Sequence, residues 1–311
     1  MKTVFMGTPS FACPFLEALL EKEEVVAVVT QPDRPSGRGR KFSQSPVKEM
    51  AIRNGLRVLQ PESVKNEGFF SELKNLCPDL IVVVAFGEIL QKRILDIPKW
   101  GAINVHASLL PKYRGAAPIQ WAIINGDEVT GISIIRMDEG MDTGEILHLQ
   151  EVPIQPDETA GELEDRISII GAKCLIKTLR DIEEGKAILK PQDHSLATYA
   201  PKLKKGDGEI DWRHSAKDIR NRIRGMNPWP VAFTFLDGKL LRIFKAKIVN
   251  SETKGNPGEV IEAKGDNLFI QTGDGVLLLQ EVQLEGRKRM AVSEFLRGYC
   301  LKKGTILGKL Q

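Results

Sequence analysis

Apolar residues recur along the first part of the chain as short, nearly unbroken runs separated by longer stretches of helical period. Val4-Phe5-Met6-Gly7, Val25-Val26-Ala27-Val28-Val29, Asp79-Leu80-Ile81-Val82-Val83-Val84-Ala85 and Ala102-Ile103-Asn104-Val105 are runs of this kind. A strand apolar at consecutive positions is buried on both faces, and helical stretches between such strands, like the spacing of Phe11, Phe15, Leu16, Leu19 and Leu20, supply parallel crossovers. The pattern predicts an α/β fold built on a doubly wound, mainly parallel, Rossmann-like sheet. Residues 129–136 and 145–152 read as further strands that complete or flank it. Residues 159–184 read as a long amphipathic helix, ended by Gly185.

The pattern changes near residue 190. Residues 190–206 contain Pro191 and Pro201, show neither period, and read as a linker between a first domain (1–189) and a second (207–311). Ser215 is placed to cap a helix running to Arg224, which Asn227-Pro228-Trp229-Pro230 stops. Short strands follow at 231–236, 240–249, 258–263, 267–272 and 276–281, separated by turn signals such as Asp237-Gly238, Asn256-Pro257-Gly258 and Gly273-Asp274-Gly275. About five short strands closing on themselves predict a small OB-like β-barrel.

Composition narrows the possible chemistry. No run of about eighteen uncharged apolar residues suggests a membrane span, and the N-terminus lacks a secretory signal, so a cytoplasmic location is expected. Cys13, Cys77, Cys174 and Cys300 are widely spaced, and the four histidines show no metal-binding spacing, so no metal is expected. Net charge is +3, unevenly spread: residues 207–311 hold 18 Lys and Arg against 13 Asp and Glu. A basic C-terminal part hints at a polyanionic partner. Gly7-Thr8-Pro9-Ser10 follows the first strand but lacks the G-x-G-x-x-G of dinucleotide sites, which favours a tight strand-to-helix turn and argues against hydride transfer.

In open α/β sheets ligands bind beyond the carboxyl ends of the strands. Asn104 and His106 stand at such an end, and strand alternation puts them on one face with Val105 on the other. An amide donor beside an imidazole suits proton transfer and stabilisation of a developing negative charge. Asp138-Glu139-Gly140-Met141-Asp142-Thr143-Gly144 adds carboxylates in a glycine-bearing loop between two strands, with Asp142 able to approach His106. On spacing alone these residues fit a turn-capping role as well as a catalytic one.

The run Asn104-Val105-His106-Ala107-Ser108-Leu109-Leu110-Pro111-Lys112-Tyr113-Arg114-Gly115-Ala116-Ala117-Pro118, followed by Asp142-Thr143-Gly144, resembles the folate-dependent formyltransferase family. The resemblance implies 10-formyltetrahydrofolate as formyl donor and Asn104, His106 and Asp142 as the catalytic centre. It also implies that Ser108, Leu109, Leu110 and Pro111 lie along the folate, while Val84, Ala85, Phe86 and Gly87 line the pterin pocket. Asn104 and a protonated His106 would then stabilise the oxygen of a tetrahedral intermediate. Asp142 would hold His106 charged or relay the amine's proton to the departing N10. Ala107 stands where Gly is common in the family.

Thr30-Gln31-Pro32-Asp33-Arg34-Pro35-Ser36-Gly37-Arg38-Gly39-Arg40-Lys41, Ser45-Pro46-Val47-Lys48 and Asn227-Pro228-Trp229-Pro230 extend the resemblance to the branch of that family acting on initiator methionyl-tRNA. Within this branch, Arg38 is the expected key tRNA contact of its loop. Arg40, Lys41, Lys202, Lys204 and Lys205 are further phosphate partners, as are Arg287, Lys288 and Arg289 in the barrel. Cations beside Gly37 and Gly39 suit close backbone approach to phosphates. No obligate protein partner is implied, and a monomer is expected. A nucleotide-linked amino sugar as acceptor, and a non-catalytic RNA-binding role, remain as alternatives. The basic loop opposes the first, and the intact Asn104, His106 and Asp142 set opposes the second.

Overall fold

The computed structural model describes residues 1–36, 41–249 and 255–308, with the backbone alone at Pro35, Ser36, Lys41 and Phe42. The chain divides into two compact units. The first is Met1–Pro118 with Val129–Pro153 and Glu164–Pro201; the second is Ile119–Glu128 with Ile154–Leu163 and Lys202–Gln311. Residues 190–201, read above as linker, thus fall within the first unit, and 202–206 within the second.

In chain order the elements of the first part are β1 (Lys2–Gly7), α1 (Cys13–Lys22), β2 (Glu24–Val29), β3 (Arg34–Ser36), β4 (Lys41–Ser43), α2 (Pro46–Arg53), β5 (Val58–Leu59) and α3 (Glu67–Asn75). Then come β6 (Leu80–Val84), α4 (Lys92–Leu95), β7 (Ala102–His106), β8 (Arg114–Gly115), α5 (Pro118–Ile124), β9 (Val129–Arg136), β10 (Ile146–Pro153), α6 (Ala160–Glu183) and β11 (Tyr199–Ala200). Seven strands form one sheet in the order β10-β9-β7-β6-β1-β2-β5. Those from β7 to β5 run parallel; β9 runs antiparallel to β7, and β10 antiparallel to β9. The expected doubly wound sheet is present, with the antiparallel pair flanking one edge.

Both faces of the sheet are covered, as the unbroken apolar runs require. Val4 and Met6, Ala27 and Val29, and Ile81 and Val83 enter one apolar cluster with Phe69 and Leu73 of α3. The intervening Phe5, Val28 and Val82 are buried as well. On α6, a Cβ at Gly171 would lie 2.7 Å from the Phe15 ring and 3.0 Å from Ile132, so the close approach of this helix depends on the missing side chain. Ser45 caps α2 by accepting the Lys48 N–H at 3.2 Å, and Asn66 caps α3. From β1 the chain winds outward through β2 to β5, then returns with β6 on the other side of β1. The switch point therefore lies between β1 and β6, where doubly wound sheets open a crevice beyond the strand ends.

The second unit carries α7 (Ala216–Gly225), β12 (Ala232–Leu236), β13 (Lys239–Val249), β14 (Val260–Lys264), β15 (Asn267–Gln271), β16 (Val276–Leu284), β17 (Met290–Ala291) and α8 (Val292–Gly298). Its strands pair in the order β12-β13-β16-β15-β14, with β17 on β16. A strip at the end of the described chain links the two outer strands: Leu307 N–H donates to Gly258 O at 2.8 Å and Gly308 N–H to Phe235 O at 2.9 Å. This agrees with the expected small barrel. Ser215 caps α7 as the sequence suggests, accepting the Asp218 N–H at 3.1 Å, and Ile219 and Ile223 of that helix enter the barrel core. The helix α8, not anticipated above, adds Val292 and Phe295 to the same core.

Candidate active site

The carboxyl end of β7 delivers Asn104 and His106 to one face, and both meet a single carboxylate. Asn104 Nδ2 donates to Asp142 Oδ1 at 3.2 Å. His106 Nδ1 stands 3.6 Å from Asp142 Oδ2, an ion-pair distance longer than a hydrogen bond. The same Oδ2 accepts the Gly115 N–H at 2.8 Å. On its far side His106 Nε2 lies 2.8 Å from the Tyr113 carbonyl oxygen. That oxygen only accepts, so Nε2 carries a proton, and Nδ1 is the ring atom that faces Asp142.

The loop that carries Asp142 adopts an uncommon backbone there, with φ +55°. Gly115 is also special: its φ is +115°, and a Cβ would lie 2.9 Å from the Ala200 carbonyl oxygen. This contact arises because β8 pairs in parallel with β11, Arg114 beside Tyr199 and Gly115 beside Ala200. The N–H that reaches Asp142 is thus held by a short strand from the segment expected to be a linker. Gln192, Arg114 and Thr198 complete this surround and were not singled out from the sequence. Tyr113 N–H donates to Thr198 Oγ1 at 2.9 Å, and Gln192 Nε2 donates to the Asp142 carbonyl at 2.8 Å.

The residues expected at the folate are placed as follows. Residues 84–87 continue from β6, which pairs with β7 through Val83 and Asn104, so they lie beside the end of β7 at the switch point. Val84 and Phe86 are buried, whereas Ala85 (φ +47°) and Gly87 (φ +91°) are exposed and present backbone. Thr8 Oγ1 donates to the Phe86 carbonyl at 3.3 Å, tying the turn after β1 to this loop. Ser108 is fully buried and donates inward to the Lys112 carbonyl at 2.6 Å. Ser133 Oγ accepts the Leu110 N–H at 2.9 Å and donates to the Ser108 carbonyl at 2.6 Å. Leu110 is buried; Leu109 and Pro111 are half-buried.

Of the expected tRNA contacts, Arg38 and Arg40 lie outside the described residues, and Lys41 is described as backbone of β4 only. The base of their loop is braced. Lys48 Nζ pairs with Asp33 Oδ2 at 2.6 Å, and Gln60 Nε2 donates to Asp33 Oδ1 at 3.0 Å. These two donors hold the Asp33 carboxyl below its ordinary pKa. Gln31 Nε2 donates to Glu88 Oε1 at 2.9 Å, linking that base to the loop after β6. Lys202, Lys204 and Lys205 are exposed around the buried Leu203. In the barrel Lys288 pairs with Glu294 at 3.3 Å, and Arg289 pairs with Glu281 while lying 4.2 Å over the Phe244 ring.

An amide, an imidazole and a carboxylate at the strand ends of a doubly wound sheet suit proton transfer and charge stabilisation, the needs of a group-transfer enzyme. The comparison with known proteins specifies the class. Residues 1–179 match the formyl transferase family and residues 202–300 the formyl transferase C-terminal domain. The chain belongs to the formyl transferase family. It is 50% identical over 310 residues to a protein of Alkaliphilus oremlandii named methionyl-tRNA formyltransferase, covering 99% of this chain and 100% of the relative. A protein of the same name from Geotalea uraniireducens is also 50% identical, covering 99% and 98%. Among solved structures, an N-formyltransferase from Helicobacter canadensis in complex with folinic acid and dTDP-3-aminofucose has a TM-score of 0.66 at 20% identity, over 90% of this chain and 99% of that one. That degree of identity supports the shared fold.

Proposed function

We infer that this chain transfers the formyl group of 10-formyltetrahydrofolate to the α-amine of methionine on initiator methionyl-tRNA. The chemical half of the reading rests on one observation: the Asp142 carboxylate receives the Asn104 amide and the Gly115 N–H and faces His106 Nδ1. The acceptor half rests on the end-to-end match to relatives of that name. The alternative of an amino-sugar acceptor has support only from neighbours near 20% identity.

The residues fit a formamide donor. Asn104 uses one amide hydrogen on Asp142, and its second is available to the formyl oxygen. A Cβ at Gly87 would meet nothing within 4 Å, so open space adjoins the loop after β6, where the flat pterin ring is expected. In the reaction the neutral amine attacks the formyl carbon; a free α-amine titrates near about 7.7–8.0. Asn104 and His106 stabilise the charge that builds on the formyl oxygen in the tetrahedral adduct, a task for which one donor is typically worth about 3 kcal/mol. Asp142 takes the amine's proton and delivers it to N10 as the carbon–N10 bond breaks. A carbon–nitrogen bond replaces a carbon–nitrogen bond, and no oxidant or reductant is required.

Arg38, Arg40, Lys41, Lys202, Lys204 and Lys205 hold the tRNA phosphates in this reading. The exposed ammonium groups at 202–205 support it, since exposed cations release counterions on binding a polyanion. The enzyme works as a cytoplasmic monomer; among the described residues no helix is long and apolar enough to cross a membrane. The deciding experiment incubates the protein with charged initiator tRNA and labelled donor. Formylmethionyl-tRNA is the expected product, and methionine left unformylated at micromolar enzyme overturns the assignment.

A further inference from the structure

Behind the loop that carries Asp142 lies an amide that neither the motif nor the reaction accounts for. Gln192 is 7% exposed. Its Nε2 donates to the Asp142 carbonyl at 2.8 Å and to the Gly144 carbonyl at 2.8 Å, which uses both amide hydrogens. Its Oε1 accepts Arg114 Nη2 at 2.6 Å. These partners fix the amide's orientation. Turned over, Oε1 would face two carbonyl oxygens and the NH₂ group a guanidinium, and every bond would become a repulsion.

Arg114 is 3% exposed; its Nη2 also reaches His194 Nδ1 at 3.0 Å, and its buried Nε has no partner. It directly precedes Gly115, whose N–H donates to the Asp142 carboxylate. A closed ring results: from the Asp142 carboxylate to Gly115, along the chain to Arg114, through its side chain to Gln192, and back to the Asp142 carbonyl. Asp142 needs such support because its left-handed backbone is one that non-glycine residues rarely adopt without a surround that imposes it.

We propose that Gln192 is a positioning residue for the reaction: with Arg114 it holds the Asp142 backbone so that the carboxylate stays aimed at Asn104 and His106. The proposal rests on the reading of Asp142 as a proton-handling group. Gln192 touches neither reactant. It acts through two carbonyls, and displacing a reacting group by about 1 Å can cost on the order of 100-fold in rate.

The test uses the full-length protein, with Gln192→Met and Gln192→Glu variants, single-turnover formyl transfer, steady-state kcat and KM, and thermal melting. Gln192→Met keeps the length and removes every hydrogen bond; kcat should fall by roughly 10- to 100-fold with KM for both substrates nearly unchanged. Gln192→Glu places a carboxylate against Arg114 but donates nothing to the two carbonyls. It should melt above the Met variant yet be as slow. A purely structural role predicts the reverse, activity returning with stability, and that result overturns the proposal even if Gln192→Met does not fold.

A double-mutant cycle adds a second check. In an Asp142→Ala background Gln192→Met should cost nothing further, while a fully additive loss overturns the proposal. The two readings fail separately. If Asp142→Ala alone leaves turnover intact, the role of Asp142 falls and this one with it. If Asp142→Ala collapses turnover while both Gln192 variants keep full rate, only the positioning role falls.

Discussion

Asn104, His106 and Asp142 are each held by a neighbour within the first unit, and the carboxylate that joins them is fixed from both its side chain and its backbone. Lys202, Lys204 and Lys205 stand in solvent, and among the described residues none of their ammonium groups is ion-paired within 4 Å. In the proposed function the two regions make different uses of polarity. Charge that develops in a transition state is stabilised best by groups that do not have to reorganise. Charge on a nucleic-acid backbone is met adequately by mobile cations, whose effects are diffuse and weakened by salt.

The comparison can be broken most directly at the reaction centre. His106→Ala or Asp142→Ala should lower single-turnover formyl transfer by about 10²- to 10³-fold while filter binding of tRNA stays nearly unchanged. Loss of binding in step with rate would mean that the centre is not specialised for chemistry. The opposite signature is expected of the basic stretch. Replacing Lys202, Lys204 and Lys205 together by Ala should weaken tRNA binding and reduce the slope of log affinity against log salt by about one for each lysine that meets a phosphate. The kcat at saturating tRNA should remain; a fall in kcat would join the stretch to the reaction centre.

Two smaller effects separate scaffold from function. Gly171→Ala places a methyl group against the Phe15 ring, so calorimetry should record a loss of about 1–3 kcal/mol in the first unit, with the folded fraction still active. Ser215→Ala removes the cap of α7 and should cost the second unit about 0.5–2 kcal/mol in chemical denaturation, with little effect on formyl transfer. A large loss of rate from either would blur the distinction between held chemistry and supporting frame.

Elements that bury whole faces were the ones legible in the sequence. The run 79–85 anticipates β6 (Leu80–Val84), and the Ser215 cap anticipates α7, because periodicity and capping are local properties of the chain. The helix α8 carries its signal in Val292, Phe295, Leu296 and Tyr299, at helical spacing, but it spans only seven residues and follows a series of strands. Asn104 and His106 were legible as a pair from strand alternation, and Asp142 from the motif. Gln192 was not, and Arg114 stood in the motif with no role assigned to it. The segment 190–201 has no period to read, and what fixes it is a set of individual hydrogen bonds to residues 48–80 positions away. Spacing along a chain carries no record of such bonds.

The strip at residues 304–308 has a consequence for solubility. By bonding to Gly258 and Val260 on one side and to the Phe235 carbonyl on the other, it occupies backbone groups at one end of each of the two outermost strands of the second unit. Without it β12 and β14 would present unpaired N–H and C=O groups, a ready template for strands of other molecules. A chain shortened before Gly304 would therefore be prone to edge-to-edge association, even though it had lost none of the residues assigned here to chemistry or to tRNA.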